Sequence, residues 1–326
     1  MNRRSLILAT MATALTGSHA WSQTSGDTWP QRPVKFILSQ PAGSGPDNVA
    51  RLLAQRLATL WGQPVVVENK PGGQNTIGAQ AAARAPADGH HFYFATAAAL
   101  VSNVYLFKTL PYDPLKDFVP VAFVAKSPFA VLVETNSPLR TIDDLISRAK
   151  ASPGKFSLGN EGPRTFSGMI ARLVNARAEI DTNLVAYAAV GNATQDLMGG
   201  HVDAIVADLA STAALTRQGK LRVLAVTSGK RVAGWDAVPT LAEKLSGFDM
   251  IGWFALVAPT GTPSAVIAQV NADVNRLLAD PDVVARINTI GPMAEAAGKP
   301  EQLAEFLRAE HRRWGQVSRE IGLLPE

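Results

Sequence analysis

Short apolar runs alternate with glycine-rich turns and amphipathic stretches along most of the chain. Val34-Lys35-Phe36-Ile37-Leu38 reads as a buried strand that stops at Pro41-Ala42-Gly43-Ser44-Gly45-Pro46. Behind that turn Val49, Leu52, Leu53, Leu57 and Leu60 recur at helical spacing, with Asp47 placed to cap the helix. Val65-Val66-Val67-Glu68 predicts the next strand. Pro71-Gly72-Gly73-Gln74-Asn75 predicts a second glycine-rich turn, leading into an Ala-rich helix from about Thr76 to Arg84, and Phe92-Tyr93-Phe94-Ala95-Thr96 a third strand. Strand, glycine turn and helix in repeated order are the pattern of an α/β domain with a largely parallel sheet.

A second cycle of the same kind follows Pro111-Tyr112-Asp113-Pro114. Val119 to Val133 holds two apolar runs around Ser127-Pro128, and Thr141-Ile142-Asp143-Asp144-Leu145 has the look of a capped helix start. Phe156-Ser157-Leu158 leads into the turn 159–165 and a helix from about Phe166 to Ala176. Strands are expected at 184–187, 204–207 and 221–227, with a short helix at Thr194 to Met198 and a helical tail from Pro263 to about Ile321. Two cycles of similar size predict two lobes, with the chain crossing between them near 119–133 and 251–257.

Composition narrows what these lobes can do. The chain has 326 residues, 47% hydrophobic, and no cysteine, so it can bury a large core and excludes disulfides, Cys-ligated metals, a Cys nucleophile and a Cys lipid anchor. Length alone suggests two domains of roughly 150 residues each. Residues 1–20 have the plan of a secretory signal: Arg3-Arg4, an apolar run from Leu6 to Leu15 and a small-x-small site at Ser18-His19-Ala20. Cleavage is expected after Ala20, with Ser22 as the alternative, and export by either the twin-arginine or the Sec route. That segment holds two of the 31 basic side chains and no acidic one, which leaves the remainder at a net charge of +2. So small and dispersed a charge excludes nucleic acid as a partner, and the apolar run is about half of the roughly 20 residues a membrane span requires.

No metal-ligand spacing of histidines and no Gly-x-Ser-x-Gly elbow is present, so neither a metal nor a cofactor is expected. Gly43-Ser44-Gly45 opens like a dinucleotide fingerprint, but Asn48 stands at the third glycine position. The glycine-rich turns instead end at helix N-termini, where unpaired N–H groups and the helix dipole favour small anions such as carboxylates. The alternative is that they are only tight strand-to-helix connections. Several such turns at equivalent strand ends favour a cleft there.

The motifs resemble those of the Bug family, the periplasmic receptors of tripartite tricarboxylate transporters. The resemblance rests on Trp29-Pro30-Gln31-Arg32-Pro33, Pro41-Ala42-Gly43-Ser44-Gly45-Pro46-Asp47 with Ala50-Arg51, and residues 62–73 running from Gly62-Gln63-Pro64 to Lys70-Pro71-Gly72-Gly73. It continues through Leu110-Pro111-Tyr112-Asp113-Pro114, Leu197-Met198-Gly199-Gly200-His201-Val202-Asp203, Gly219-Lys220-Leu221-Arg222, and Ala258-Pro259-Thr260-Gly261-Thr262-Pro263. It implies a two-lobed α/β binding protein of the type II-like periplasmic kind with its ligand cleft between lobes, and no catalysis. Lobe 1 would be 29–124 plus 255–326, and lobe 2 125–254.

The resemblance also implies a small organic carboxylate as ligand, membrane transporter subunits as partners, and a monomer free in the periplasm. Carried over by position, the ligand site would comprise Ala42, Gly43, Ser44 and Asp47 of the first turn, Gln74, Asn75 and Thr76 of the second, and Thr96 and Ala97 after the third strand. Lobe 2 would add Arg164, Thr165, Phe166, Ala189 and Asp208. Arg164-Thr165-Phe166 replaces the family's usual Ser/Thr-Ser-His, and Ala186-Tyr187-Ala188-Ala189 its Pro-Tyr-Lys-Gly, which implies a more apolar wall and an aromatic or otherwise apolar-bodied ligand. Arg164 either grips a carboxylate in bidentate fashion or is exposed; Phe166 faces the ligand or the lobe core; Asp208 accepts from the ligand or caps a turn. A sensor partner in place of a transporter, and a hydrolase or isomerase using Asp47, Glu161 or Asp208, are the competing functions.

Overall fold

A computed structural model describes residues 29–296 and 298–326; the signal segment lies outside the described residues. Three parallel strands, β1 (Val34–Leu38), β2 (Val65–Asn69) and β3 (His91–Thr96), lie in the order β2-β1-β3. They alternate with α1 (Gly45–Trp61) and α2 (Thr76–Ala83). In α1 the buried face is Val49, Ala50, Leu53, Ala54 and Leu57, while Leu60 is 42% exposed. Each buried Val or Leu of such a face stabilises by about 1.5–3 kcal/mol. The helix stops at Gly62, whose φ of 66° lets its N–H close on the Ala58 carbonyl.

The N-cap of α1 is Ser44, not Asp47 as expected. Asp47 sits in the first turn, only 1% exposed, and its carboxylate accepts from the Gly43 N–H at 2.8 Å. It therefore fastens the turn from within the helix instead of capping it from outside.

After β3, a tight π-type turn at 98–102 runs into α3 (Asn103–Leu106), which sequence reading missed. The two apolar runs around Ser127-Pro128 form one continuous strand, β4 (Phe118–Glu134). Its first half pairs antiparallel with β9 (Ile251–Pro259), which itself pairs with β3. Its second half pairs with β7 (Ala204–Asp208) and β8 (Leu221–Val226). Pro128 is compatible with this strand because Cα pairing passes there from β9 to β7: Pro128 lies opposite Ile251, the first residue of β9, and Phe129 opposite Asp208.

The second group of strands adds β5 (Ser157–Asn160) and β6 (Asn183–Ala186) in the parallel order β7-β5-β6. Its helices are α4 (Ile142–Ala151), α5 (Phe166–Ala178), α6 (Val190–Met198) and α7 (Leu209–Arg217). Thr141 caps α4 in a reciprocal capping box with Asp144. The helical tail is three helices, α8 (Ser264–Leu278), α9 (Pro281–Ile290) and α10 (Pro300–Glu320), with a two-residue strand β10 (Met293–Ala294) pairing back onto β4.

Helix α10 is fastened beneath the crossing strands. Trp253 of β9 is fully buried, donates 3.0 Å to Glu310, and meets Phe306 edge-on at 5.3 Å. Two α/β lobes joined through the β4–β9 pair are thus held on one side by a helix that touches both crossing strands and α5.

Candidate functional site

The carboxyl ends of the parallel strands in both lobes point toward one cavity of about 320 Å³. Lobe 1 supplies the turns after β1, β2 and β3. The second of these carries two successive left-handed residues, Gln74 (φ 52°) and Asn75 (φ 76°). Such a conformation costs a non-glycine residue about 1–2 kcal/mol, and side chains hold it in place. Asn103 donates 2.8 Å to the Gln74 carbonyl, Ser39 donates 2.9 Å to the Asn75 carbonyl, and Gln40 Nε2 donates to Asn75 Oδ1 at 2.8 Å. Ser39 is itself bonded to the buried hydroxyl of Tyr93, whose ionisation burial pushes far up. Tyr112, donating 2.6 Å to the Ala99 carbonyl, anchors the π-type turn, and burial pushes its hydroxyl up to about 12. Both phenols therefore stay neutral and act as donors.

The first turn is secured by Asp47. Its carboxylate accepts from Gly43 N–H, from Arg51 at 2.9 Å and from Asn69 at 2.8 Å. Burial alone pushes this carboxyl up, but the hydrogen bonds of Arg51, Asn69 and Gly43 together hold it below the ordinary value. Asn69, at the end of β2, also donates 3.0 Å to the Gln40 carbonyl, so the first two turns are tied to each other.

Lobe 2 supplies the turns after β5, β6 and β7. Thr165 caps α5 by accepting from Gly168 N–H and donates 2.8 Å to the Gly162 carbonyl. Asp208 ends β7 and caps α7, accepting from Ser211 N–H at 3.2 Å, and its other oxygen accepts from Ser127 at 2.5 Å. Burial pushes the Asp208 carboxyl up against these hydrogen bonds. Burial also raises the Glu161 carboxyl, and the neighbouring charge of Asp208 raises it further.

The residues carried over from sequence do not all reach the cavity. Ser44, Gln74, Asn75, Thr96, Ala97, Arg164, Thr165, Phe166 and Asp208 line it. Ala42 and Gly43 are exposed on the turn, Asp47 is buried beneath it, and Thr76 folds back to donate to the Gly73 carbonyl. Ala189 is the N-cap of α6, and its neighbour Val190 takes the lining position.

Three open alternatives acquire definite geometry. Arg164 is 16% exposed and engaged, donating 2.7 Å to the Leu106 carbonyl and pairing at 2.7 Å with Glu326. Phe166 lines the cavity while packing 5.0 Å from Phe129 and 5.5 Å from Trp314. Asp208 caps α7 and lines the cavity at once.

Sequence reading missed Gln40, Asn103, Ser127, Phe129, Ser211, Gly252, Trp253 and Phe254 as lining residues. Five of the missed residues, aromatic or small, come from β4 and β9, where Ser127 lies opposite Gly252. The proline within the apolar run was a hint that pairing changes there. The cavity's middle is consequently aromatic, and its polar groups lie at the two lobes' turns.

A cleft built from strand carboxyl ends of two α/β lobes joined by crossing strands is the ligand-binding architecture of periplasmic solute-binding proteins. Residues 49–323 match the tripartite tricarboxylate transporter family receptor, and the chain belongs to that family. Protein BugT of Bordetella pertussis is 33% identical over 318 residues, covering 97% of each chain. Among solved structures, R. palustris Rpa4515 with adipate superimposes with a TM-score of 0.84 at 30% identity, covering 91% of this chain and 100% of that one. Periplasmic binding protein BugD superimposes with a TM-score of 0.81 at 29% identity over 91% of this chain and 100% of its own.

Proposed function

We propose that this chain is an exported receptor that captures a small organic carboxylate in the periplasm and delivers it to a membrane transporter. The cavity carries the reading: about 320 Å³ is at the lower end of the roughly 300–1,000 Å³ of small-molecule sites, so it suits a compact ligand. Lobe 1, taken as 29–124 plus 255–326, would hold one carboxylate on the backbone of its strand-end turns. Lobe 2, taken as 125–254, would close over the ligand by bending at the β4–β9 crossing. Ser44, Gln74, Asn75, Thr96, Ala97, Thr165, Phe166 and Asp208 are the proposed contacts. The aromatic middle formed by Phe129, Phe166, Trp253 and Phe254 favours a ligand with an apolar body.

Delivery follows from differential affinity. A ligand touching both lobes shifts the open–closed equilibrium toward closure, and the closed form is what a membrane partner selects. The test is a thermal-shift screen of mono-, di- and tricarboxylates on the mature protein, with mass spectrometry of each hit after incubation. A raised melting temperature with chemically unchanged ligand is the expected result. Turnover of the ligand, or no stabilisation by any carboxylate, overturns the reading.

A further inference from the structure

Among the described residues lining the cavity, three are charged: Glu161, Arg164 and Asp208. Arg164 commits guanidinium donors to the Leu106 carbonyl and to Glu326, and the other two charged lining residues are acids. They come together because β5 and β7 are parallel neighbours, so the turn after one and the end of the other lie side by side. Asp208 is fixed by Ser127 and Ser211. Glu161 is freer: its side chain has a single 3.4 Å hydrogen bond, with Ser167. Each carboxylate oxygen has two acceptor sites, so both groups retain capacity for a donor.

We infer that the Glu161–Asp208 end of the cavity receives a positively charged nitrogen, and that Glu161 sets a preference for zwitterionic ligands over dicarboxylates. The inference rests on the carboxylate-receptor reading and assigns the ligand's other end. Its carboxylate would lie at the Gln74–Asn75 turn and its amine at the two acids. A cation placed there answers two desolvated acids at once, whereas a second carboxylate would meet like charge. Phe129, Phe166, Trp253 and Phe254 line the same space, and aromatic rings attract an ammonium group rather than a carboxylate. The relative Rpa4515 holds adipate, so this pocket would differ from it in preference while sharing its fold.

Protonation supplies an independent sign. Burial favours the neutral forms of both Glu161 and Asp208, and the charge of Asp208 pushes Glu161 further the same way. A cation needs them ionised, so its affinity rises with pH; a dicarboxylate needs them neutral, so its affinity falls. The other charges around this end are Arg164 with Glu326, and the Glu310–Arg313 pair behind Trp253.

The experiment is titration calorimetry with two matched sets: 6-aminohexanoate against adipate, and 4-(aminomethyl)benzoate against terephthalate, with hexanoate and 4-methylbenzoate as the monocarboxylate references. In at least one set the amine is expected to bind about tenfold tighter than its dicarboxylate, and Glu161→Gln to reduce that ratio by about tenfold. Asp208→Asn provides a second variant should Glu161→Gln prove unstable. Amine affinity should rise with pH from the ordinary carboxylate range toward neutrality, as the two raised carboxyls ionise. Tighter binding of both dicarboxylates, or a ratio that neither substitution moves, overturns the inference alone. Absence of binding by all six compounds overturns it together with the carboxylate-receptor reading.

Discussion

The guanidinium of Arg164, on the turn before α5, donates 2.7 Å to the carbonyl of Leu106 at the end of α3. This bond crosses from one lobe to the other at the rim of the cavity, and Glu326 pairs with the same guanidinium. The two partners differ in worth. Glu326 is 80% exposed on its side chain, and exposed ion pairs contribute about 0–1 kcal/mol. The carbonyl bond, made by a charged and largely buried donor, contributes about 1.5–3 kcal/mol. Arg164→Ala is therefore expected to weaken ligand binding about tenfold by loosening closure, while Glu326→Ala changes it less than about twofold. Calorimetry with any ligand found by the thermal-shift screen measures both; equal effects of the two would show that the ion pair, not the carbonyl bond, holds the lobes.

Asp47 gives stability a pH dependence with a definite sign. Its folded carboxyl titrates below the ordinary value because hydrogen bonds from Arg51, Asn69 and Gly43 outweigh burial. A depressed folded value means the stabilisation is present above the unfolded value of about 3.9 and is lost as pH falls below it through the folded value. Asp47→Asn should cost about 1–3 kcal/mol at neutral pH and flatten the loss of stability below about pH 4. Urea unfolding at a series of pH values reads both.

Gly168 is required by backbone proximity. A Cβ there would overlap the Gly162 carbonyl oxygen and lie 2.8 Å from the Gly162 carbonyl carbon. Either α5 or the turn that precedes it must move. Gly168→Ala should destabilise the protein by about 3 kcal/mol, and ligand binding should fall with it because Glu161, Arg164 and Thr165 all sit on that turn. A melting temperature within error of the wild type would contradict the close approach.

Phe166 joins cavity to core. It meets Phe129 at 5.0 Å and Trp314 at 5.5 Å, so Phe166→Ala removes contacts on both sides. Since the ring is only partly buried, the expected loss is about 2 kcal/mol, less than the 3–5 kcal/mol of a fully buried Phe. Phe166→Leu should recover most of the stability but not the affinity for ligands with a flat apolar body. Paired melting and binding measurements on both variants separate the two roles.

The lobes' strands and glycine turns were legible because their signals are local. An apolar run of β-formers, a glycine where φ is positive, and helical spacing of Val49, Leu53 and Leu57 each depend on a few adjacent residues. Asp47 was misplaced for the same reason: spacing puts an acid near a helix start, but whether it caps or reaches back from the first turn depends on where Ser44 falls. α3 and α7 were missed because their four and nine residues lack a clear apolar face.

Sequence by itself determined two α/β cycles, the turns at their strand ends, a nearly balanced and dispersed charge that offers nucleic acid no basic stripe, and the absence of cysteine chemistry. Only the tertiary structure decided the cavity's character. Residues 81 positions apart, Ser127 and Asp208, meet through β4–β7 pairing, and Glu161 meets Asp208 because β5 lies beside β7. Arg164, a natural carboxylate grip when read along the chain, is instead bound by Leu106 and Glu326. Hydrophobic periodicity specifies which face of each element is buried, but the partners a polar side chain finds are set by strand order and register, which bring distant segments together.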